Sequence, residues 1–306
     1  MTQVVVIGNA TVDVIQRVER FARPGETLLC TDMVVCAGGK GLNQAIAAAR
    51  TAAPTQLHAP AAADTLGELL ARAAAAEAGL EVDWLAVPQP TDVSTIWIDA
   101  AGENMIVSAA AAAASMNAAQ AAAACASLGA GDVLLVQGNL SQAATAAALA
   151  QARANGARTV LNTAPMRPWM LALLAGVDVV IANAVEAAEL SGHDDDPEAA
   201  LLRAGAHAAI VSRGRDGAVL GTPHGRVKVE AAVVAAVDTA GAGDVLAGTL
   251  AGLLAQGSTL EAALQVAVSA ASLSVTRRGT TPSFPSRDEV AALCTVHGAR
   301  LALRDA

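Results

Sequence analysis

The sequence predicts an α/β protein built on a mostly parallel sheet with helices on both faces. Three observations predict it. Strand-like segments at Val133–Gln137, Thr159–Asn162, Val177–Ile181 and Ala208–Val211 alternate with segments of helix length, and parallel strands need such crossovers. The candidate strands are continuous apolar runs, as in Val4-Val-Val-Ile7, the pattern of strands buried on both faces. Glycine-rich turns stand directly before helical patterns at Ala37–Asn43 and Asp238–Asp244, where ligands bind in open α/β sheets.

Composition narrows the class. The 306 residues are 54% hydrophobic with only 2 Phe, 3 Trp and no Tyr, so the core is aliphatic and its alanine-rich helices pack close together. A net charge of −9 argues against nucleic-acid partners and anionic membranes. A phosphate site must then rely on local N–H groups, a metal and a few basic residues. Cys30, Cys36, Cys125 and Cys294 form no CxxC pair, which favours free thiols in a reducing, cytoplasmic setting. The chain starts directly in a strand-like run, so no signal peptide is expected. The uncharged stretch Met105–Gly131 is long enough to span a bilayer, but it is mostly alanine interrupted by Ser, Asn and Gln. It reads as a loop and a buried helix, not a membrane span.

Taken in order, Val4–Ile7 is a strand, and Val12–Val18 and Thr27–Val35 are strands joined by the turn Arg23-Pro-Gly-Glu26. Asp13 lies among apolar neighbours, a costly place for a carboxylate without a partner. It reads as a ligand contact, or as a cap or a salt bridge to Arg17. Ala37-Gly-Gly-Lys-Gly-Leu-Asn43 opens a helix to about Arg50. It is a phosphate or small-ligand loop without Walker spacing, or a plain glycine turn. Thr65–Ala78 is a helix, and Val93–Asp99 with Asn104–Val107 a hairpin. Asn183 and Glu186 follow the strand ending at Ile181, at a carboxyl end suited to ligands or as an ordinary helix cap. Ser212-Arg-Gly214 follows the next strand, Ala218–Leu220 and Val227–Val229 make a hairpin, and helices at Leu260–Thr276 and Arg287–Leu303 close the chain.

The stretch Asp238-Thr-Ala-Gly-Ala-Gly-Asp244, with the helix Val245–Leu254 after it, organises the rest. Gly241 and Gly243 allow a tight turn that aims N–H groups outward at a helix start, an anion site. A carboxylate beside it, Asp244, suits a general base that deprotonates a hydroxyl while a phosphate sits on those N–H groups. An acidic helix cap is the plainer alternative.

Gly38-Gly-Lys-Gly-Leu-Asn43 and Asp238–Asp244, in this order and separation, resemble the ribokinase-like (PfkB-type) carbohydrate kinase family, closest to its ribokinase branch. Arg23-Pro-Gly-Glu-Thr27, Asn183-Ala-Val-Glu186 and Val275–Ser283 extend the resemblance over nearly the whole chain. It implies a three-layer α/β/α core (1–11, 37–91 and 108–306) and a small β lid (12–36 and 92–107) that often forms a dimer contact. It also implies that Thr11, Asp13, Gly38, Gly39, Lys40, Asn43 and Asn139 surround the sugar, with Asp244 as base. Gly241, Ala242 and Gly243 would form the anion hole. Asn183, Glu186, Ser212, Gly214 and Gly217 would serve ATP, with Mg²⁺ reached from Glu186 through water. Asp238, Ala240, Ser274, Arg277, Gly279 and Ser283 match a monovalent-cation (K⁺) site.

Four departures bear on the acceptor. Thr11 replaces an Asn, Ala109–Ala114 replace a Gly-Ala-Asn segment, Asn139 stands for a sugar-contacting Glu, and Val268 for an adenine-side His. The expected function is an ATP-dependent kinase acting on a primary hydroxyl of ribose or a similar pentose or hexose. A nucleoside kinase of the same fold and a catalytically silent sugar- or nucleotide-binding homologue are the alternatives.

Overall fold

The computed structural model describes residues 2–193 and 195–300. The chain enters through β1 (Val4–Ile7), buried throughout: Val4 and Val6 join the core on one face, Val5 and Ile7 the core on the other. It then leaves the main sheet for β2 (Thr11–Arg17) and β3 (Asp32–Gly38). It returns through helix α1 (Lys40–Ala49), β4 (Thr55–Ala61), α2 (Thr65–Ala75) and β5 (Leu80–Ala86). A second excursion, β6 (Val93–Ile98) and β7 (Asn104–Ser108), runs into short helices α3 (Ala111–Ser115) and α4 (Ala118–Ala124). Strands and helices then alternate: β8 (Val133–Val136), α5 (Gln142–Ala154), β9 (Arg158–Asn162), β10 (Val179–Asn183), α6 (Ala184–Ser191), α7 (Pro197–Arg203) and β11 (Ala209–Ser212). The hairpin β12 (Ala218–Thr222) and β13 (Gly225–Val229) precedes α8 (Ala242–Ala255), α9 (Leu260–Ser274) and α10 (Arg287–His297).

Among the described residues the large sheet has the order β13-β12-β11-β10-β9-β8-β1-β4-β5. It is parallel from β11 to β5 and antiparallel at the β12–β13 edge. Helices α1, α2, α8, α9 and α10 share the core on one face, and α4 to α7 the core on the other, so the three-layer expectation holds. The small sheet, β3-β2-β6-β7, pairs β2 and β6 in parallel between two antiparallel pairs. Trp97 of β6 donates its indole N–H to Gln16 Oε1 of β2 (2.8 Å). Trp84 and Trp169 pack against the two cores of the large sheet instead. Among the described residues no helix is long and apolar enough to cross a membrane.

Several boundaries differ from the sequence reading. β3 begins at Asp32, not Thr27, because its register against β2 ends at the pair Arg17–Asp32; the residues before it have no strand to pair with. Strands β4 and β5 were not anticipated. They carry Gln56, His58, Glu81 and Asp83, and His58 Nδ1 meets Asp83 Oδ2 at 3.0 Å. A flanking strand that is wetted on one side lacks the continuous apolar signal of β1. β10 starts at Val179, since Asp178 spends its carboxylate on Thr159 N–H (2.8 Å), which makes Asn183 the last strand residue. The alanine stretch folds as two short helices, and Asp92 caps the first through Ala112 N–H (3.0 Å) and Ala113 N–H (2.9 Å). The last helix ends at His297, because Gly298 takes the left-handed C-cap conformation, and the rest of the expected extension, 301–303, lies outside the described residues. Helix α8 starts at Ala242, three residues earlier than expected, which puts Asp244 inside its first turn.

Helices α1 and α8 approach closely because α8 carries Gly248 and Gly252 on the contact side. A Cβ at Gly248 would stand 2.2 Å from Gln44 O, and one at Gly252 2.3 Å from Thr51 Oγ1. No larger side chain fits that spacing. The close crossing brings the first turns of the two helices together.

Candidate active site

Asp244 is the meeting point. Its side chain is buried, 6% exposed, and is held by neutral amides from α1. Asn43 Nδ2 donates to Oδ2 (3.0 Å) and Gln44 Nε2 to Oδ1 (2.9 Å). Gln44 Nε2 also donates to Asn162 Oδ1 (3.0 Å), and Gln44 Oε1 accepts from Gln137 Nε2 (2.8 Å). Asn43 Oδ1 is buried and has no hydrogen-bond partner, an acceptor poised for an external hydroxyl.

The turn before α8 depends on Gly241, whose φ of 79° is the left-handed conformation open to glycine. The first intrahelical bond is Val245 N–H to Gly241 O (2.9 Å), and Ala242 N–H makes only a long bond to Thr239 O (3.4 Å). The helix therefore opens with under-used donors at its positive end. No atom would lie within 4 Å of a Cβ at Gly243, so there is room over those donors for an anion.

On the small-sheet side Asp13 is buried in β2, and its side-chain partner is Thr11 Oγ1 (2.8 Å) rather than Arg17. Burial pushes its carboxyl up to about 6, against the hydroxyls of Thr11 and Ser94, which favour the charged form. Asp244 raises it further and Lys40 lowers it, both as smaller effects. Burial, and then the charge of Asp13, also pushes the Cys36 thiol up. Gly38 lies against the Asp13 carboxylate, and Gly39 is the N-cap of α1.

The other end of the cleft is formed by the carboxyl ends of β10 and β11. Asn183 and Glu186 make a capping box: Asn183 Oδ1 accepts from Glu186 N–H (2.9 Å) and Glu186 Oε2 from Asn183 N–H (3.0 Å). The cap reading is thus correct, but Glu186 Oε2 also accepts from Thr163 Oγ1 (2.9 Å), which orients it. Ser212, Gly214 and Gly217 line the same cleft, with Lys40, Asn183, Glu186 and Asp244. Its volume is about 1230 Å³.

Asp238 ties two loops beside this site: Oδ1 accepts from Ala240 N–H (3.0 Å) and Oδ2 from Gly279 N–H (3.0 Å). Ser274 Oγ donates to Ala271 O (2.8 Å), Ser283 Oγ to Thr280 O (2.7 Å), and Arg277 forms an ion pair with Glu289. Asn139 follows β8 at the same end of the sheet, with Oδ1 buried and without a partner; like Thr11, Asp13, Gly38, Gly39 and Asn43, it is not among the residues lining the cleft.

Sequence reading missed Gln44, Gln137, Asn162 and Thr163. A usable signal existed: Gln44 interrupts the apolar face of a helix, and Gln137 and Asn162 each close an apolar strand-like run.

A buried carboxylate beside an N–H-lined helix start, in a cleft at the carboxyl edge of a parallel sheet, suits a phosphotransferase with an alcohol group as acceptor, and the family match establishes that class. The chain belongs to the pfkB family of carbohydrate kinases, whose family model matches residues 1–287. It is 28% identical to the ribokinase of Haemophilus influenzae over 293 residues, 93% of this chain and 95% of that one. Among solved structures it resembles ribokinase from Thermotoga maritima, with a TM-score of 0.88, 28% identity and coverage of 96% and 100% of the two chains. Arabidopsis thaliana ribokinase, solved with ribose and ATP, matches with a TM-score of 0.83, 25% identity and coverage of 96% and 99%.

Proposed function

We propose that the protein is an ATP-dependent kinase that phosphorylates a primary hydroxyl of a small sugar, ribose or a similar pentose or hexose. The observation that carries this reading is the buried Asp244 carboxylate, gripped by Asn43 and Gln44 beside the open N-terminus of α8. Asp244 takes the proton of the attacked hydroxyl. The hydroxyl oxygen bonds to the γ-phosphorus as the bond to the bridging oxygen breaks and ADP leaves. The N–H groups of Ala242 and Gly243, on the turn made by Gly241, meet the charge that develops on the phosphoryl oxygens. Asp13 and Asn43 hold sugar hydroxyls, with Thr11, Gly38, Gly39 and Lys40 around them. The Arabidopsis enzyme with ribose and ATP supports a sugar and ATP as the pair of ligands.

Asn183, Glu186, Ser212, Gly214 and Gly217 serve the nucleotide. Mg²⁺ would be held by the ATP phosphates and water, with Glu186 at one remove. Bound there, Mg²⁺ supplies charge neutralisation on the phosphates. The family resemblance also implies a K⁺ site at Asp238, Ala240, Ser274, Arg277, Gly279 and Ser283, where the Asp238 carboxylate ties the two loops through N–H groups of Ala240 and Gly279. A cation there would stiffen the loop that leads into α8. Segments 12–36 and 92–107 act as a lid in this cytoplasmic enzyme. The exposed Met33, Val35 and Val107, which the register places on one face of the small sheet, offer an apolar face for a homodimer.

The test is ATP turnover over pentoses, hexoses, phosphosugars and nucleosides, with and without K⁺. Turnover on ribose or a related sugar, raised by K⁺, is expected. Activity confined to nucleosides would replace the acceptor, and silence on every acceptor with ATP still bound would overturn catalysis altogether.

Asp13 gives a pH signature. Its folded value of about 6 lies above the ordinary 3.8, so the native state holds the proton more tightly than the unfolded chain between those values. Ionised Asp13 therefore lowers stability above about pH 6, and that cost is absent below pH 3.8. Sugar binding needs the ionised form as acceptor. We expect kcat/KM for the sugar to fall about tenfold per pH unit below pH 6. Asp13→Asn should flatten that limb, lower kcat/KM at pH 8 and raise the denaturation midpoint at pH 8 but not at pH 4.

A further inference from the structure

Gln44 has no part in the chemistry described so far, yet it touches the carboxylate at its centre. It is fully buried, and its partners come from three separate places: Asp244 in α8, Asn162 at the end of β9, and Gln137 just after β8. A side-chain amide has two N–H donors and a carbonyl acceptor, and all of them are engaged. Reversing the amide would set its oxygen against Asp244 Oδ1 and Asn162 Oδ1 and its nitrogen against that of Gln137. The surroundings therefore fix its orientation.

We propose that Gln44 is the positioning residue for phosphoryl transfer: it fixes the plane of the Asp244 carboxylate so that an oxygen is aimed at the sugar hydroxyl. The inference rests on Asp244 being the base. Asn43 alone holds Oδ2 and would leave the group free to turn about Cβ–Cγ; the second bond, to Oδ1, removes that freedom. Gln137 and Asn162 in turn keep Gln44 from rotating, so the orientation is carried into the sheet itself. Asp13 and Lys40 are the other charged groups that interact across this part of the cleft, and neither is a hydrogen-bond partner of Gln44.

Two substitutions test the inference on the full chain, with turnover expressed per folded molecule. Gln44→Met keeps length and removes both donors. We expect kcat to fall roughly 30- to 100-fold, in line with the cost of misplacing a reacting group, while KM for ATP and for the sugar stays within about threefold of wild type. Gln44→Glu keeps an acceptor for Gln137 but can donate to Asp244 only while protonated, and once ionised it repels Asp244. Its activity should therefore decline as pH rises, whereas wild-type activity declines as pH falls. A purely structural role would lower the melting temperature and leave turnover per folded molecule and the shape of the pH profile unchanged; that result overturns the inference. If Gln44→Met does not fold, Gln137→Met frees the Gln44 amide instead, and an unchanged kcat there overturns it equally. Wild-type turnover with unaltered Gln44 variants sinks the positioning role alone. A wild type that turns over no acceptor sinks the base reading and this inference with it.

Discussion

Asp244→Asn is expected to lower kcat by about a thousandfold, the middle of the range for loss of a general base, and to leave the protein folded. The substitution keeps shape and volume but removes the ability to take a proton. It also places an NH₂ group where one of the donors from Asn43 and Gln44 now finds a carboxylate oxygen. Losing one such bond costs about 1 kcal/mol, too little to unfold a core of this size. KM for ATP should stay within a few-fold, because the proposed phosphate contacts are backbone N–H groups of α8 rather than the carboxylate. Steady-state kinetics with a denaturation curve on the same sample checks both halves. A variant with more than a tenth of wild-type turnover would remove Asp244 from the role of base.

The second large effect is expected from Gly248→Val, four residues along the same helix and remote from any substrate. A Cβ there would press on Gln44 O at 2.2 Å and on Ala47 Cβ at 2.7 Å. Both belong to α1, and Gln44 O is backbone, so no side chain can rotate away. The helices must part, at a cost of about 3 kcal/mol, the upper range for overpacking. Valine is chosen because alanine would regain up to about 1 kcal/mol in helix propensity and blur the result. Parting α1 from α8 draws Asn43 and Gln44 off the Asp244 carboxylate, so kcat should fall about a hundredfold in the molecules that remain folded. Gly129→Ala, where nothing lies within 4 Å of the added carbon, serves as the control and should be neutral. Normal turnover in a destabilised Gly248→Val protein would mean the grip on Asp244 survives the separation.

How much of this was legible in the sequence follows from what each residue had to do. β1, β8 and β11 lie between other strands with helices on both faces, and their apolar runs declare it. β4 and β5 lie toward one edge, and Gln56, His58, Glu81 and Asp83 break the apolar run that marks β1, with no tight hairpin turn to mark them instead. Both glycine motifs were readable because a tight turn and a helix start leave few alternatives. The Asp244 neighbourhood was only half readable. Asn43 sat in a motif, whereas Gln44, Gln137 and Asn162 stood out only as polar residues on apolar elements, because their partners lie 93 to 200 residues away in the chain.

The tryptophans have an optical consequence. The chain has 3 Trp and no Tyr, so emission excited at 295 nm or at 280 nm comes from the same few indoles. Trp84 and Trp169 are embedded against the two faces of the large sheet, and Trp97 alone belongs to the small one, with its N–H on Gln16. Replacing Trp84 and Trp169 by Phe would leave a chain whose emission comes only from the small sheet, and a titration with the proposed sugar would then read any movement of that sheet without an attached dye.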